Sequence, residues 1–134
     1  MAKDYALHLE GYLPAANATN TVGALDLGVD TSGFSDQWRL GRLRVTIPAL
    51  PNNTNANCTV TLTLQDTTDG SNFANTSPLI QAQVLGVATN GSPAAVIDMP
   101  LPPGLRGPIQ ILQAVAANGG TNTDALITYD WVNE

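Results

Sequence analysis

Between Asn57 and Gly70 the sequence alternates without a break. Cys58, Val60, Leu62 and Leu64 are apolar, and Thr59, Thr61, Thr63 and Gln65 between them are polar. Successive side chains of a strand point to opposite faces, so a period of two makes one apolar face and one hydroxyl-bearing face. The stretch predicts a half-buried strand of an antiparallel sheet, with its apolar side on a core and its threonine side wet. Asp69-Gly70 then closes the strand with a dipeptide suited to the positive φ of a tight turn.

The same alternation recurs along the chain. Leu43, Val45 and Ile47 oppose Arg42, Arg44 and Thr46, while Ile80, Ala82 and Val84 alternate with Gln81, Gln83 and Leu85. Ile109, Ile111 and Val115 share a register, and Ala125, Ile127, Tyr129 and Trp131 alternate with Leu126, Thr128, Asp130 and Val132. Turn and stop signals separate these runs: Ser32-Gly33, Pro48, Pro51, Asn90-Gly91 and the glycines after Asn118. Ser71–Pro78 reads as a loop whose Phe73 tucks under as a lid on the core, and Leu101–Pro108 as a stiff connector. No window carries an apolar period of about 3.6 residues. The expected fold is all-β, an antiparallel β-sandwich of roughly seven to eight short strands with little or no helix. Spacing leaves the connectivity open between immunoglobulin-like and jelly-roll.

A chain of 134 residues is read as one domain. Residues 1–20 form an N-terminal arm or edge segment, in which Tyr5, Leu7 and Leu9 alternate with Ala6, His8 and Glu10 and Pro14–Asn20 reads as linker. Residues 21–134 form a single sandwich. Charged residues are only 12% of the chain, against a usual ~25%, so Thr, Asn, Ser and Gln must supply the polar surface. Such a surface suits a protein that lies against other proteins. The net charge of −6 argues against nucleic-acid binding, which needs clustered cations. Three of the five basic residues do cluster, Arg39, Arg42 and Arg44. They make either a solvated strand face or a patch for an acidic partner.

Chemistry-bearing motifs are sparse. The lone Cys58 cannot make an intramolecular disulfide and reads as a small buried hydrophobe. The lone His8 leaves no multi-histidine or Cys–His metal set. Asp66–Gly70 lacks the spacing of a calcium loop and reads as a turn. The expectation is a protein with no catalytic activity, metal or cofactor. No apolar run approaches the ~20 residues of a membrane span, and the N-terminus lacks the features of a secretion signal. A soluble chain made in a cytosol and not bound to membranes is therefore expected. Tyr12, Trp38, Tyr129 and Trp131 are the candidates for a sugar-stacking platform, although Tyr129 and Trp131 sit on a core register.

Several of these segments together resemble a known family. They are Leu25-Asp26-Leu27-Gly28, the strand Leu43–Ile47, Val60–Gln65 followed by Asp69-Gly70 and Phe73, Met99–Gly104 before Ile109–Leu112, and a Gly-rich hairpin into the last strand. In this pattern the chain is similar to small capsid cement, or decoration, proteins of tailed double-stranded DNA bacteriophages. The resemblance implies a jelly-roll-like domain, made in the host cytoplasm and assembled, often as a homotrimer, on the capsid exterior. There it would bridge neighbouring subunits of the major capsid protein, and no catalytic residues carry over. The expected contact elements are residues 1–20, as a free arm with Tyr5, Leu7, Leu9 and Tyr12, and the connector at 100–108 with Pro102, Pro103, Leu105 and Arg106. Trp38, Arg39, Arg42 and Arg44 complete the candidate contact set. The competing readings are a carbohydrate-binding sandwich on a virion and a tail or baseplate subunit.

Overall fold

In the computed structural model the described residues are 2–25, 42–54, 58–67, 69–76, 79–86, 91–101 and 108–133. They contain nine strands and no helix: β1 (Ala2–Tyr12), β2 (Ala18–Leu25), β3 (Arg42–Ile47), β4 (Cys58–Thr67), β5 (Phe73–Asn75), β6 (Gln81–Leu85), β7 (Ala95–Pro100), β8 (Ile109–Val115) and β9 (Leu126–Asn133).

All pairings are antiparallel. One sheet has the order β1-β9-β3-β7, and the other runs β2-β8-β4, with β5 and β6 end to end along the far edge of β4. With β5 set aside the pairing is nested. The first strand lies beside the last, β2 beside β8, β3 beside β7 and β4 beside β6.

The period of two explains how the sheets close on each other. Leu43, Val45, Ile47, Met99, Ile127 and Tyr129 of the four-stranded sheet are buried against Val60, Leu62, Leu64, Ile109, Ile111 and Val84 of the five-stranded sheet. Burying each large aliphatic side chain is worth about 1.5–3 kcal/mol, so this interdigitated layer is the main source of stability. Leu9 and Trp131 pack against its margin.

One polar network crosses the core. The Tyr129 hydroxyl donates to Gln113 Oε1 at 2.6 Å, and Gln113 Nε2 donates to the Tyr12 carbonyl at 3.0 Å and to Asn20 Oδ1 at 2.9 Å. Asn20 Nδ2 also donates to the Tyr12 carbonyl, at 2.9 Å. Two strands of each sheet, β1 and β9 with β2 and β8, are thereby tied together. Burial pushes the Tyr129 phenol well above its usual range, so it stays a donor.

At one end of the sandwich the β3–β4 and β8–β9 loops interlock. Asn52 Nδ2 donates to the Thr121 carbonyl at 2.7 Å, and the Asn52 amide donates to Asn122 Oδ1 at 3.1 Å. Gly120, at φ +74°, lies so close to Asn52 that a β-carbon there would overlap the Asn52 carbonyl oxygen. Below them the buried Thr59 hydroxyl donates to Asn53 Oδ1.

Several expectations need correction. The hydroxyl side of β4 is not simply wet: Thr59, Thr63 and Thr67 are all buried. Neighbouring strands and loops cover it, and Gln81 Nε2 donates to Thr63 Oγ1 at 3.1 Å. Phe73 is no lid in a loop but opens the short strand β5, which brings the strands to nine. The expected linker already enters β2 at Ala18. Residues 2–12, open beforehand between free arm and edge strand, pair with β9 as an edge strand.

Asp69-Gly70 is the turn the sequence predicts. The Asp69 carboxylate accepts the amides of Ser71 and Asn72, both at 2.8 Å, and the Thr67 hydroxyl at 3.0 Å. These donors, led by the Asn72 amide, hold its pKa well below the usual carboxylate range.

Candidate interaction surfaces

The two outer faces of the sandwich differ in kind. On the four-stranded sheet, cross-strand register places His8, Asp130, Arg44 and Asp98 in one row across all four strands. When His8 is protonated their charges alternate in sign. His8 Nδ1 lies 2.6 Å from Asp130 Oδ1, and its Nε2 lies 3.3 Å from Glu10 Oε2. Arg44 Nε donates to Asp98 Oδ1 at 3.0 Å, and Arg42 Nε to Asp98 Oδ2 at 2.7 Å. The hydrogen bond to Asp130 raises the His8 pKa above its ordinary 6.5, with Glu10 adding to it against the effect of partial burial. Arg44, then Arg42, hold Asp98 below the usual carboxylate range. The cationic cluster read from the sequence is thus engaged within its own sheet at Arg42 and Arg44, in keeping with a solvated strand face.

The outer face of the five-stranded sheet carries no charged side chain among the described residues. Thr19 and Thr21 of β2 stand beside Leu112 and Ala114 of β8. Thr61, Thr63 and Gln65 of β4 lie between Gln110, Leu112 and Ala114 on one side and Asn75, Gln81 and Gln83 on the other. Amides chain across it: Gln110 Nε2 donates to Gln65 Oε1 at 2.7 Å, and Gln65 Nε2 to Asn75 Oδ1 at 2.9 Å. These side chains are therefore held in place by one another.

Of the candidate contact residues, Tyr5, Leu7, Leu9 and Tyr12 belong to β1. Leu9 packs on the core, and Tyr12 is 57% exposed. Arg42 and Arg44 project from β3 into the charged row. Trp38, Arg39, Pro102, Pro103, Leu105 and Arg106 lie outside the described residues. Of the proposed aromatic platform, Tyr129 is fully buried and Trp131 half-buried, so neither is an open stacking surface. Among the described residues no three acidic, histidine or cysteine side chains form a metal-binding group.

Sequence reading missed the His8–Asp130 pair and the amide chain, because both join residues of different strands. Outside the two faces, a shallow groove of about 600 Å³ lies between the start of β9 and the β3–β4 loop, lined by Pro48, Pro51, Asp124 and Leu126. A smaller one of about 230 Å³ follows the seam between β6 and β7. Comparison of the chain with protein-family models and with curated proteins finds no match.

Proposed function

We propose that the chain is a structural virion protein that binds the outer surface of a phage capsid and stabilises it by bridging major capsid subunits. The observation that carries this reading is the uncharged, internally hydrogen-bonded outer face of the five-stranded sheet. Hydroxyls and amides cost far less to desolvate than ions, and their donors and acceptors can be matched by another protein surface. A face already held by its own amide chain loses little side-chain entropy on docking. The nested strand pairing supports the jelly-roll-like reading, an architecture that viral capsid domains use. Weak contacts to several subunits at once would then add through effective concentration.

The experiment is reconstitution of capsids that lack the chain, read by cosedimentation and by capsid survival on heating. Wild-type protein should saturate the capsid and raise the temperature at which it opens. The double substitution T19E/T21E, on the exposed margin of the uncharged face, should lower affinity by at least about tenfold, the equivalent of ~1.4 kcal/mol. Thr46→Glu, on the opposite face, should bind as wild type. Failure of the wild-type protein to cosediment sinks the reading.

A further inference from the structure

The edges of the two sheets are not equally protected. Proteins blunt strand edges with charges, prolines and bulges, because an exposed row of backbone N–H and C=O groups pairs with other strands. Strand β1 carries His8 and Glu10 and a register shift between Lys3 and His8. Strand β7 carries Asp98 and ends at Pro100. Strand β5 is only three residues long. Strand β2, at the other edge of the five-stranded sheet, has a register shift between Gly23 and Leu25 and lies against β1 through Asn20 and Val22. Strand β6 carries no charge or proline, and the register shift in its ladder, between Cys58 and Val60, adds its extra residue to β4. It reads Gln-Ala-Gln-Val-Leu, and among the described residues it pairs with β4 alone. Leu79 just before it and Leu85 at its end are 55% and 58% exposed, and among the described residues the other large exposed hydrophobics are Tyr12 and Val96.

We propose that β6 pairs with β6 of a second copy, antiparallel about a two-fold axis at Ala82, so that the five-stranded sheet continues through the dimer. The backbone parity fits. The Leu64 amide donates to the Ile80 carbonyl at 3.0 Å, so Ile80, Ala82 and Val84 turn their backbone groups toward β4. Gln81 and Gln83 therefore turn theirs to the outer edge. An axis at Ala82 sets Gln81 opposite Gln83 of the second copy, two outward-facing residues that exchange both hydrogen bonds.

The side chains fit the same register. Leu79 falls opposite Leu85 of the second copy, so the exposed leucines cover each other, and Ile80 falls opposite Val84. Side-chain amides both donate and accept, which makes the Gln81–Gln83 pairs self-complementary. No ion on the strand opposes contact between two chains of net charge −6. Among the described residues each copy has one such edge, so pairing closes at two, in place of the three-fold assembly that the family resemblance implies. This inference does not depend on the capsid reading.

Sedimentation equilibrium of the full chain, from micromolar to near-millimolar concentration, tests it. Wild-type protein should show a monomer–dimer equilibrium. Q81K/Q83K sets lysine against lysine across the axis and should raise the Kd by at least about tenfold. Q81K/Q83E sets lysine against glutamate in this register and should restore the dimer. Both positions are exposed, and circular dichroism checks that each variant keeps its strand content. A wild-type monomer at every concentration, a three-fold mass, or a dimer indifferent to Q81K/Q83K overturns the proposal. Failure of Q81K/Q83E to recover dimer overturns the register.

Discussion

Gly120 and Gln113 show how single residues hold this sandwich. At Gly120 a β-carbon has nowhere to go, since the Asn52 carbonyl occupies its place and φ is positive. Gly120→Ala should cost about 3 kcal/mol or more, whereas Gly70→Ala, equally positive in φ but in open space, should cost ~1 kcal/mol. Urea denaturation of the two variants reads the difference directly. Gln113 is fully buried and joins the sheets through Tyr129 and the Tyr12 carbonyl. Gln113→Leu strands the phenol and should lose about 2–3 kcal/mol, more than the ~1–2 kcal/mol of Tyr129→Phe. Thermal unfolding should place the two midpoints in that order. Tyr129 was legible as core from its alternation with Ile127. Gln113 was not, because a polar residue on the Ile109–Ile111–Val115 register reads as an interruption until its partners on β1, β2 and β9 are in place.

At the scale of the element, the N-terminal edge strand has a proton-dependent attachment. Asp130 and Glu10 raise the His8 pKa, so the protonated form is favoured in the folded state. Its contribution is complete below the ordinary value of 6.5 and is lost as pH rises through the higher folded value. The opposite sign holds for Asp98, whose pairing with Arg44 and Arg42 is present above the ordinary carboxylate range and lost as pH falls through its lowered value. His8 is a third exposed, so solvent screens the effect and the difference should stay below about 1 kcal/mol. Amide exchange at residues 8–12, corrected for its intrinsic pH dependence, should show less protection at about pH 8.5 than at about pH 5.5, and His8→Gln should remove that dependence. Equal protection at both pH values would count against the latch. Strand periodicity made most elements legible, β3, β4, β6, β8 and β9 among them. It failed for β5, whose three residues are too few to show a period, and for β2, whose Ala18-Thr19-Asn20 start is composed like a linker. It also misjudged the threonine side of β4, because burial there is decided by the strands on either side.

For the whole molecule, the nested pairing is what the sequence could not show. Strand β1 meets β9 across nearly the entire chain, and local patterns carry no information about such partners. The division of the surface follows from that pairing. It gathers His8, Asp130, Arg44 and Asp98 onto one broad face and leaves the other, among the described residues, to uncharged side chains: amides and hydroxyls with Leu112 and Ala114 between them. Mobile ions therefore distinguish the two. Attachment through the uncharged face should barely change between low salt and about 0.5 M sodium chloride, whereas attachment through the charged row should weaken as the screening length shrinks to a few ångströms. A salt titration of the capsid binding proposed above thus reports which of the two faces carries it.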